Sequence, residues 1–336
     1  MNKLLKKNEF YIALSLIAMC LLIGIINPVF FTLANAVSLL KNMIVMGIMS
    51  YALMLGIIAG GIDVSFPAIA VCAMYLTSKL MEHINYGGPV IVPILMALAI
   101  GTILGTLNGL IITHFKLPAF IVTLGTSSLF YGLLVTMVGS KPVNRLCTSM
   151  ENFGKAAMLT VTSGSTTATC TYTFLFMLAI AIVVYIILNY TMLGRGIYAI
   201  GGDRVSAERA GFNVVGITIF VYAFIGFAAG LGGISHAMQA RMCTPTDLMG
   251  SEMMCIAVVV LGGTNISGGK GTVLGTTLGL LLITIARNSL ILIGITSVWQ
   301  GLVIGVIIVA GVSLSAYKEL KNSRKIPKIL SDEPEV

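Results

Sequence analysis

The sequence predicts an all-α polytopic membrane protein of about ten transmembrane helices, some broken at Gly-Gly motifs, with both termini cytoplasmic. Three observations carry that expectation. Of 336 residues 57% are hydrophobic, only 10% are charged, and the mean hydropathy is +1.01. Apolar runs of about 20 residues, the length that crosses a bilayer, recur from end to end. The Lys and Arg residues are distributed unevenly over the connecting segments, as orientation in a membrane requires.

Lys3, Lys6 and Lys7 precede a first apolar run at 10–31. Ala34-Asn35-Ala36 after it has the look of a signal-peptidase site. The run exceeds the about 7–15 residues of a signal core, so an uncleaved first span is expected. Further spans are expected at 43–59, 67–81, 89–113 and 117–138. A Ser/Thr-rich loop at 139–171 then leads to a sixth span at 172–190. After a charged connector come spans at 214–236, 252–266, 271–293 and 298–316, then a polar tail. No stretch has the composition of a separate soluble domain.

Ten spans put both termini on one side. That side then holds Lys3, Lys6, Lys7, Lys116, Arg195, Arg204, Arg209, Lys270, Lys318, Lys321, Arg324, Lys325 and Lys328. The other side holds only Lys41, Lys79, Lys141, Arg145, Lys155, Arg241 and Arg287. The richer side is the cytoplasmic one. The net charge of +8 is thereby accounted for by orientation, and nucleic acid is not an expected partner.

Two hexapeptides share the form G-G-x-[D/N]-[V/I]-S: Gly60-Gly61-Ile62-Asp63-Val64-Ser65 and Gly262-Gly263-Thr264-Asn265-Ile266-Ser267. Gly-interrupted apolar segments in two halves of a chain point to a solute path, because opened backbone is tolerated at membrane depth only beside protein or a cavity. Ordinary turns at the membrane edge are the other reading. Asp63 is either a pathway or proton-relay group or a cap for the helix that follows. Asn108, Asn265, Asn288 and Gln300 suit sugar hydroxyls or hydrogen bonds between helices. Gly101-Thr-Ile-Leu-Gly105 and Gly271-Thr-Val-Leu-Gly275 have the spacing of close helix packing.

The connector 193–214 carries Arg195, Asp203, Arg204, Glu208 and Arg209. Its glycines at 194, 196, 201 and 202 allow turns, and Asp203 can cap a short helix that Gly211 closes. A capped, charged helix between apolar spans suits contact with a soluble partner. A plain solvated connector is the alternative.

No catalytic constellation emerges. The segment Gly268-Gly269-Lys270-Gly271-Thr272 lacks the phosphate-loop pattern, with Thr264 where a glycine belongs and Gly271 where Ser or Thr belongs. His83, His114 and His236 have no metal spacing, and the six cysteines include no C-x-x-C. Cys147 and Cys170 bracket the 139–171 loop and can pair if it faces an oxidising compartment. Neither a metal nor a cofactor is expected in this chain.

Four segments together resemble the permease subunits of bacterial ATP-binding-cassette importers of the ribose, xylose and autoinducer-2 type. They are G-G-I-D-V-S at 60–65, L-P-A-F-I-V-T-L-G-T at 117–126, G-R-G-I-Y-A-I-G-G-D at 194–203 and V-V-V-L-G-G-T-N-I-S-G-G-K-G-T-V-L-G-T at 258–276. One departure stands out: Phe66-Pro67-Ala68 replaces the family's Val-Gly and small residue after the first motif.

The resemblance implies a permease domain over 1–316 with a cytoplasmic tail at 317–336, in a bacterial inner membrane. It implies two permease chains, identical or sister, around one path. Separate ATPase subunits would bind ATP and Mg, and an extracytoplasmic binding protein would deliver a ribose-like sugar. The path or half-helix caps then fall on Gly60, Gly61, Asp63, Ser65, Asn108, Asn265 and Ser267. ATPase coupling falls on Arg195, Tyr198, Asp203, Arg204, Glu208 and Arg209. An ion-coupled secondary transporter using Asp63 is the alternative.

Overall fold

A computed structural model describes residues 8–163 and 166–294, with the single positions 299, 301, 302, 305, 306 and 309. Apart from those positions, the expected tenth span lies outside the described residues. So do Lys3, Lys6, Lys7, Gln300 and the tail 317–336.

The chain opens with α1 (Asn8–Ile26) and a 3-10 turn at Pro28–Phe31. Pro28 cannot extend the helix, so the expected first span is shorter and ends on that turn. Next come α2 (Leu33–Ile58), α3 (Phe66–His83), α4 (Ile91–Phe115) and α5 (Ala119–Met137). Beyond the 139–171 segment follow α7 (Thr173–Tyr190), α8 (Met192–Gly202), α9 (Arg204–Arg209), α10 (Val214–Ala240), α11 (Glu252–Leu261) and α12 (Val273–Leu292).

Among the described residues seven helices are long and apolar enough to cross a membrane: α1, α2, α4, α5, α7, α10 and α12. The chain is thus a multi-pass membrane protein. The expected third span is α3, which is less apolar, and the expected eighth shrinks to α11, 10 residues long. At 1.5 Å per residue α11 covers about 15 Å, half of a bilayer core. It stops where Gly262 caps it and Gly263 turns to φ +87°.

The segment 139–171 is more ordered than a loop and breaks the all-α expectation. It holds α6 (Thr148–Lys155) and an antiparallel pair, β1 (Ala157–Ser163) with β2 (Thr166–Thr171). Both strands are rich in Thr and other β-formers, which favour pleated backbone over helix. Ala168 and Cys170 are buried in the main core, and both strands touch α2. All six cysteines are free thiols, so Cys147 and Cys170 are not bridged.

α2 is the axis of the bundle, touching α7, α10, α11 and α12. Its second half, from Gly47 to Ile58, is wholly buried, and so is most of α3. By contrast, α4, α5 and α7 each turn a row of leucine and isoleucine outward, among them Leu95, Ile103, Leu129 and Ile186. Such rows need no water and suit contact with lipid.

Glycine sets the tightest contacts. Gly101, Gly105 and Gly109 of α4 lie against the backbone of α10 at Ile219, Tyr222, Gly226 and Gly230. Gly275 and Gly279 of α12 lie in the same way against Val258 and Gly262. The Gly101/Gly105 pattern is therefore a packing surface, where a missing Cβ lets backbones touch; of the Gly271/Gly275 pattern only Gly275 is, since Gly271 precedes α12 and meets the Ile58 and Thr264 side chains.

The bundle has two distinct ends. One gathers the turn after α2, the start of α5, the junction of α8 and α9, and the segment before α12, as Gly61–Ala119, Gly201–Ile58 and Gly268–Gly60 contacts establish. The other carries the hairpin, where Val143 bridges Cys243 and Tyr75 donates to the Lys141 carbonyl at 2.7 Å. The following sections name these the glycine end and the hairpin end.

Candidate functional site

The first hexapeptide forms a buried polar knot. α2 is capped by Ala59, and Gly60 adopts φ +80°, which an L side chain resists. The chain then passes through Asp63 and Ser65, both fully buried, into α3. Asp63 Oδ1 accepts from the Ser65 amide at 2.7 Å and from the Ser65 hydroxyl at 2.6 Å. Asn108 of α4 donates to Ser65 Oγ at 2.7 Å, and Val64 N donates to Thr123 Oγ1 of α5 at 3.2 Å. Asp63 thus closes a tight turn on Ser65, the residue immediately ahead of the first turn of α3. Pro67 sits in that first helical turn, where its missing N–H leaves no bond unmade.

Three atoms in this knot have no partner among the described residues: Asp63 Oδ2, Asn108 Oδ1 and the Tyr222 hydroxyl. Tyr222 of α10 lies against Gly61, where a Cβ would collide with its hydroxyl. Burying an unpartnered polar atom costs about 1–3 kcal/mol, so three together hold the region short of ideal packing. Sequence reasoning missed Thr123 and Tyr222, since nothing local marks residues on α5 and α10 as neighbours of Asp63.

The second hexapeptide repeats the turn without the burial. Asn265 Oδ1 accepts from the Ser267 amide at 3.0 Å, matching the Asp63 turn, but Ser267 is exposed and Asn265 half-buried. It does not share the Asp63 network. Its loop instead approaches the end of α2: Gly269 N donates to the Ile58 carbonyl at 2.9 Å. The other polar candidate, Asn288, bonds between helices to Asn35 and Asn42.

The connector 193–214 differs from the expectation of glycine turns. Gly194, Gly196, Gly201 and Gly202 all lie inside α8. Three of them are there for contact: Gly194 packs on the backbone of Ile187 and Leu188, Gly196 on Ile217, and Gly201 on the Ile58 carbonyl. Gly201 also faces Gly268 and Gly269, so the end of α8 meets two glycine turns, at Gly60 and at Gly268-Gly269, at one point.

Asp203 ends α8 and caps α9, accepting from Val205 N at 3.0 Å and from the Ser206 hydroxyl at 2.5 Å. These bonds hold its carboxyl below the usual carboxylate range. Gly211, at φ +87°, closes the helix. Arg195, Asp203, Arg204, Glu208 and Arg209 are all exposed, and none forms an ion pair among the described residues. Tyr198 turns inward: its hydroxyl donates to the Gly271 carbonyl at 2.7 Å, and burial raises its pKa. Among the described residues no cluster of His, Cys, Asp and Glu is arranged to hold a metal.

The bundle thus seats an exposed, charged helix pair, α8 and α9, at its glycine end. The chain belongs to the family described as the branched-chain amino acid transport system / permease component, whose sequence pattern matches residues 35–312. It is 31% identical to the ribose import permease protein RbsC of Bacillus subtilis (strain 168) over 307 residues, which is 91% of this chain and 92% of that one. To RbsC of Escherichia coli (strain K12) it is 33% identical over 313 residues, 91% of this chain and 94% of the relative. The galactose/methyl galactoside import permease protein MglC of the same strain is 30% identical over 328 residues, 94% and 95% of the two chains. No solved structure matches the chain significantly.

Proposed function

We propose that this chain is the transmembrane permease subunit of an ATP-driven importer for a ribose-like monosaccharide. The observation that carries the reading is full-length similarity to relatives named as ribose and galactose import permeases. The glycine end faces the cytoplasm, both termini lie there, and about ten spans cross a bacterial inner membrane. Separate ATPase subunits bind ATP and Mg, an extracytoplasmic binding protein delivers the sugar, and a second permease chain, identical or sister, completes the path. The permease domain covers 1–316, and 317–336 is its cytoplasmic tail.

In this reading α8 and α9 receive the ATPase. Arg195, Arg204, Glu208 and Arg209 point to solvent with no competing ion pair among the described residues, which leaves them available to a charged partner. Tyr198 and Asp203 shape the helix pair from within. Force on it reaches α2 and the 262–272 loop through Gly201 and Tyr198, a rigid-body route between alternate openings. Gly60, Gly61, Asp63, Ser65 and Asn108 keep the inner end of the path in shape, with Asn265 and Ser267 at its rim.

Uptake of a radiolabelled monosaccharide into vesicles tests the proposal. It should require ATP, ATPase and binding protein together, and R204A/E208A should reduce ATPase co-purification. Uptake driven by a pH gradient without ATP, as ion coupling through Asp63 requires, would overturn it. Family membership lends that alternative no support.

A further inference from the structure

At the hairpin end the segment 242–251, between α10 and α11, forms a strap with an anchor at each end. Its start is tied to the chain ahead of α6 by Val143 and Cys243, each donating its amide to the other's carbonyl, at 2.9 and 3.1 Å. Its end is Ser251, at the head of α11. Between the anchors the Asp247 carboxylate accepts from the Thr244 amide at 2.8 Å and from the Thr244 hydroxyl, which fixes its direction. It faces His236, near the end of α10, whose Nε2 lies 3.6 Å from Asp247 Oδ2.

The strap's own backbone bonds are local. Asp247, Met249 and Ser251 each donate to the carbonyl three residues back, at 3.3, 3.2 and 3.2 Å. The contact with His236 links the middle of the strap to a helix, and its strength depends on a proton. A neutral imidazole at 3.6 Å is beyond good hydrogen-bond range, whereas an imidazolium there forms an ion pair. Lys41 of α2, Arg287 of α12 and the Cys255 thiol of α11 line the same cavity as His236 and Asp247. The two cations oppose charge on the imidazole, so Asp247 is the group that favours it, together with the carboxyl end of α10. The other charges at this end are paired or face solvent. Lys79 pairs with Glu82 on α3 at 3.0 Å, and Lys155 with Glu151 on α6 at 3.3 Å. Lys141, Arg145 and Arg241 are exposed, and Glu252 opens α11.

We propose that 242–251 is a proton-dependent strap, clamped to α10 through Asp247 when His236 is protonated and released when it is neutral. The clamp needs a charged imidazole and an ionised carboxylate at once. It is therefore complete between their ordinary values of about 6.5 and about 3.9, and is lost as pH rises through the imidazole's value. Leu248, Met249, Gly250 and Ser251 supply one wall of a cavity of about 460 Å³, so the proton sets whether that wall is held or free. The strap lies at the end opposite the glycine end. In an importer whose glycine end faces the cytoplasm it reads the pH outside, a consequence that rests on the proposed function.

Hydrogen exchange of the detergent-purified chain, corrected for intrinsic rates, reads the strap at the amides of Thr244, Asp247, Met249 and Ser251. In the parent, exchange should slow about two- to fivefold from about pH 7.5 to about pH 5.5, the gain expected of a solvent-reached ion pair. His236→Gln should show the faster rate at both values. His236→Lys, charged throughout, should show the slower rate at both, and neither variant touches the bonds between Thr244 and Asp247. A parent without pH response, or a His236→Gln variant that keeps it, would overturn the strap whether or not the chain moves sugar. In vesicles holding the complete importer, the ratio of parent to His236→Gln uptake should change about twofold or more over the same range of outside pH. A constant ratio would overturn the role of the strap in uptake, and an importer that moves no monosaccharide would overturn the proposed function while leaving the exchange result to decide the strap.

Discussion

Asp63 and Asp203 make the same local turn, each accepting from the amide two residues ahead, yet they sit in opposite surroundings. Asp63 is enclosed between α3, α4 and α5, with one oxygen unpartnered among the described residues, while Asp203 is exposed at the head of α9. The folded-state pKa of Asp203 is lowered, first by the Ser206 hydroxyl and then by the Val205 amide. Its stabilising contribution is therefore complete above the unfolded value of about 3.9 and is lost as pH falls through the lower folded value. Hydrogen exchange at 204–211, corrected for intrinsic rates, should hold steady above about pH 4 and speed up below it. Asp203→Asn, which keeps a capping oxygen, should flatten that dependence. The Asp203 cap was legible in the sequence because every partner lies within three residues. The Asp63 network was legible only in part: Ser65 is adjacent, but Asn108 and Thr123 arrive from helices 43 and 59 positions away.

At the scale of elements, glycine spacing spoke clearly about packing and poorly about turns. The four-residue period of Gly101 and Gly105 marks a helix face that can meet another backbone, and α10 is the backbone it meets. The period does not name the partner, because Gly226 and Gly230 carry the matching signal 125 positions later without any local link. In α8 the same residue type read as turns and proved to be contact points within a helix, since tertiary packing outweighs glycine's weak helix propensity. Gly226→Ala should cost about 1–3 kcal/mol, because its Cβ would strike the Gly101 carbonyl, a backbone atom that cannot rotate away. A lower unfolding temperature of the detergent-purified subunit would report that cost. The hairpin was missed for a different reason. Its Thr-rich strands are half-exposed and alternate weakly, so only pairing with each other and contact with α2 defines them.

For the molecule as a whole, the arrangement that matters is the meeting of Gly60, Gly201 and Gly268. A side chain at 201 would press on the Ile58 carbonyl and on Gly269, whereas the exposed charges of α9 would be untouched. Gly201→Ala should therefore retain the ATPase on co-purification yet lower sugar uptake about tenfold or more, with full uptake removing the junction from the transport cycle. That the chain crosses a membrane several times was readable from hydropathy, which depends on composition alone. The junction was not, because it joins loops separated by more than 60 residues at each step. One further consequence lies in α2. Its tip at the glycine end accepts a hydrogen bond from Gly269 and abuts Gly201, and its opposite half borders a cavity of about 460 Å³ at Asn42 and Met46. The helix runs unbroken for 26 residues, about 39 Å. A stiff rod of that length would act as a lever: a tilt imposed at the glycine end would displace Asn42 in the opposite sense without any relay of side chains in between.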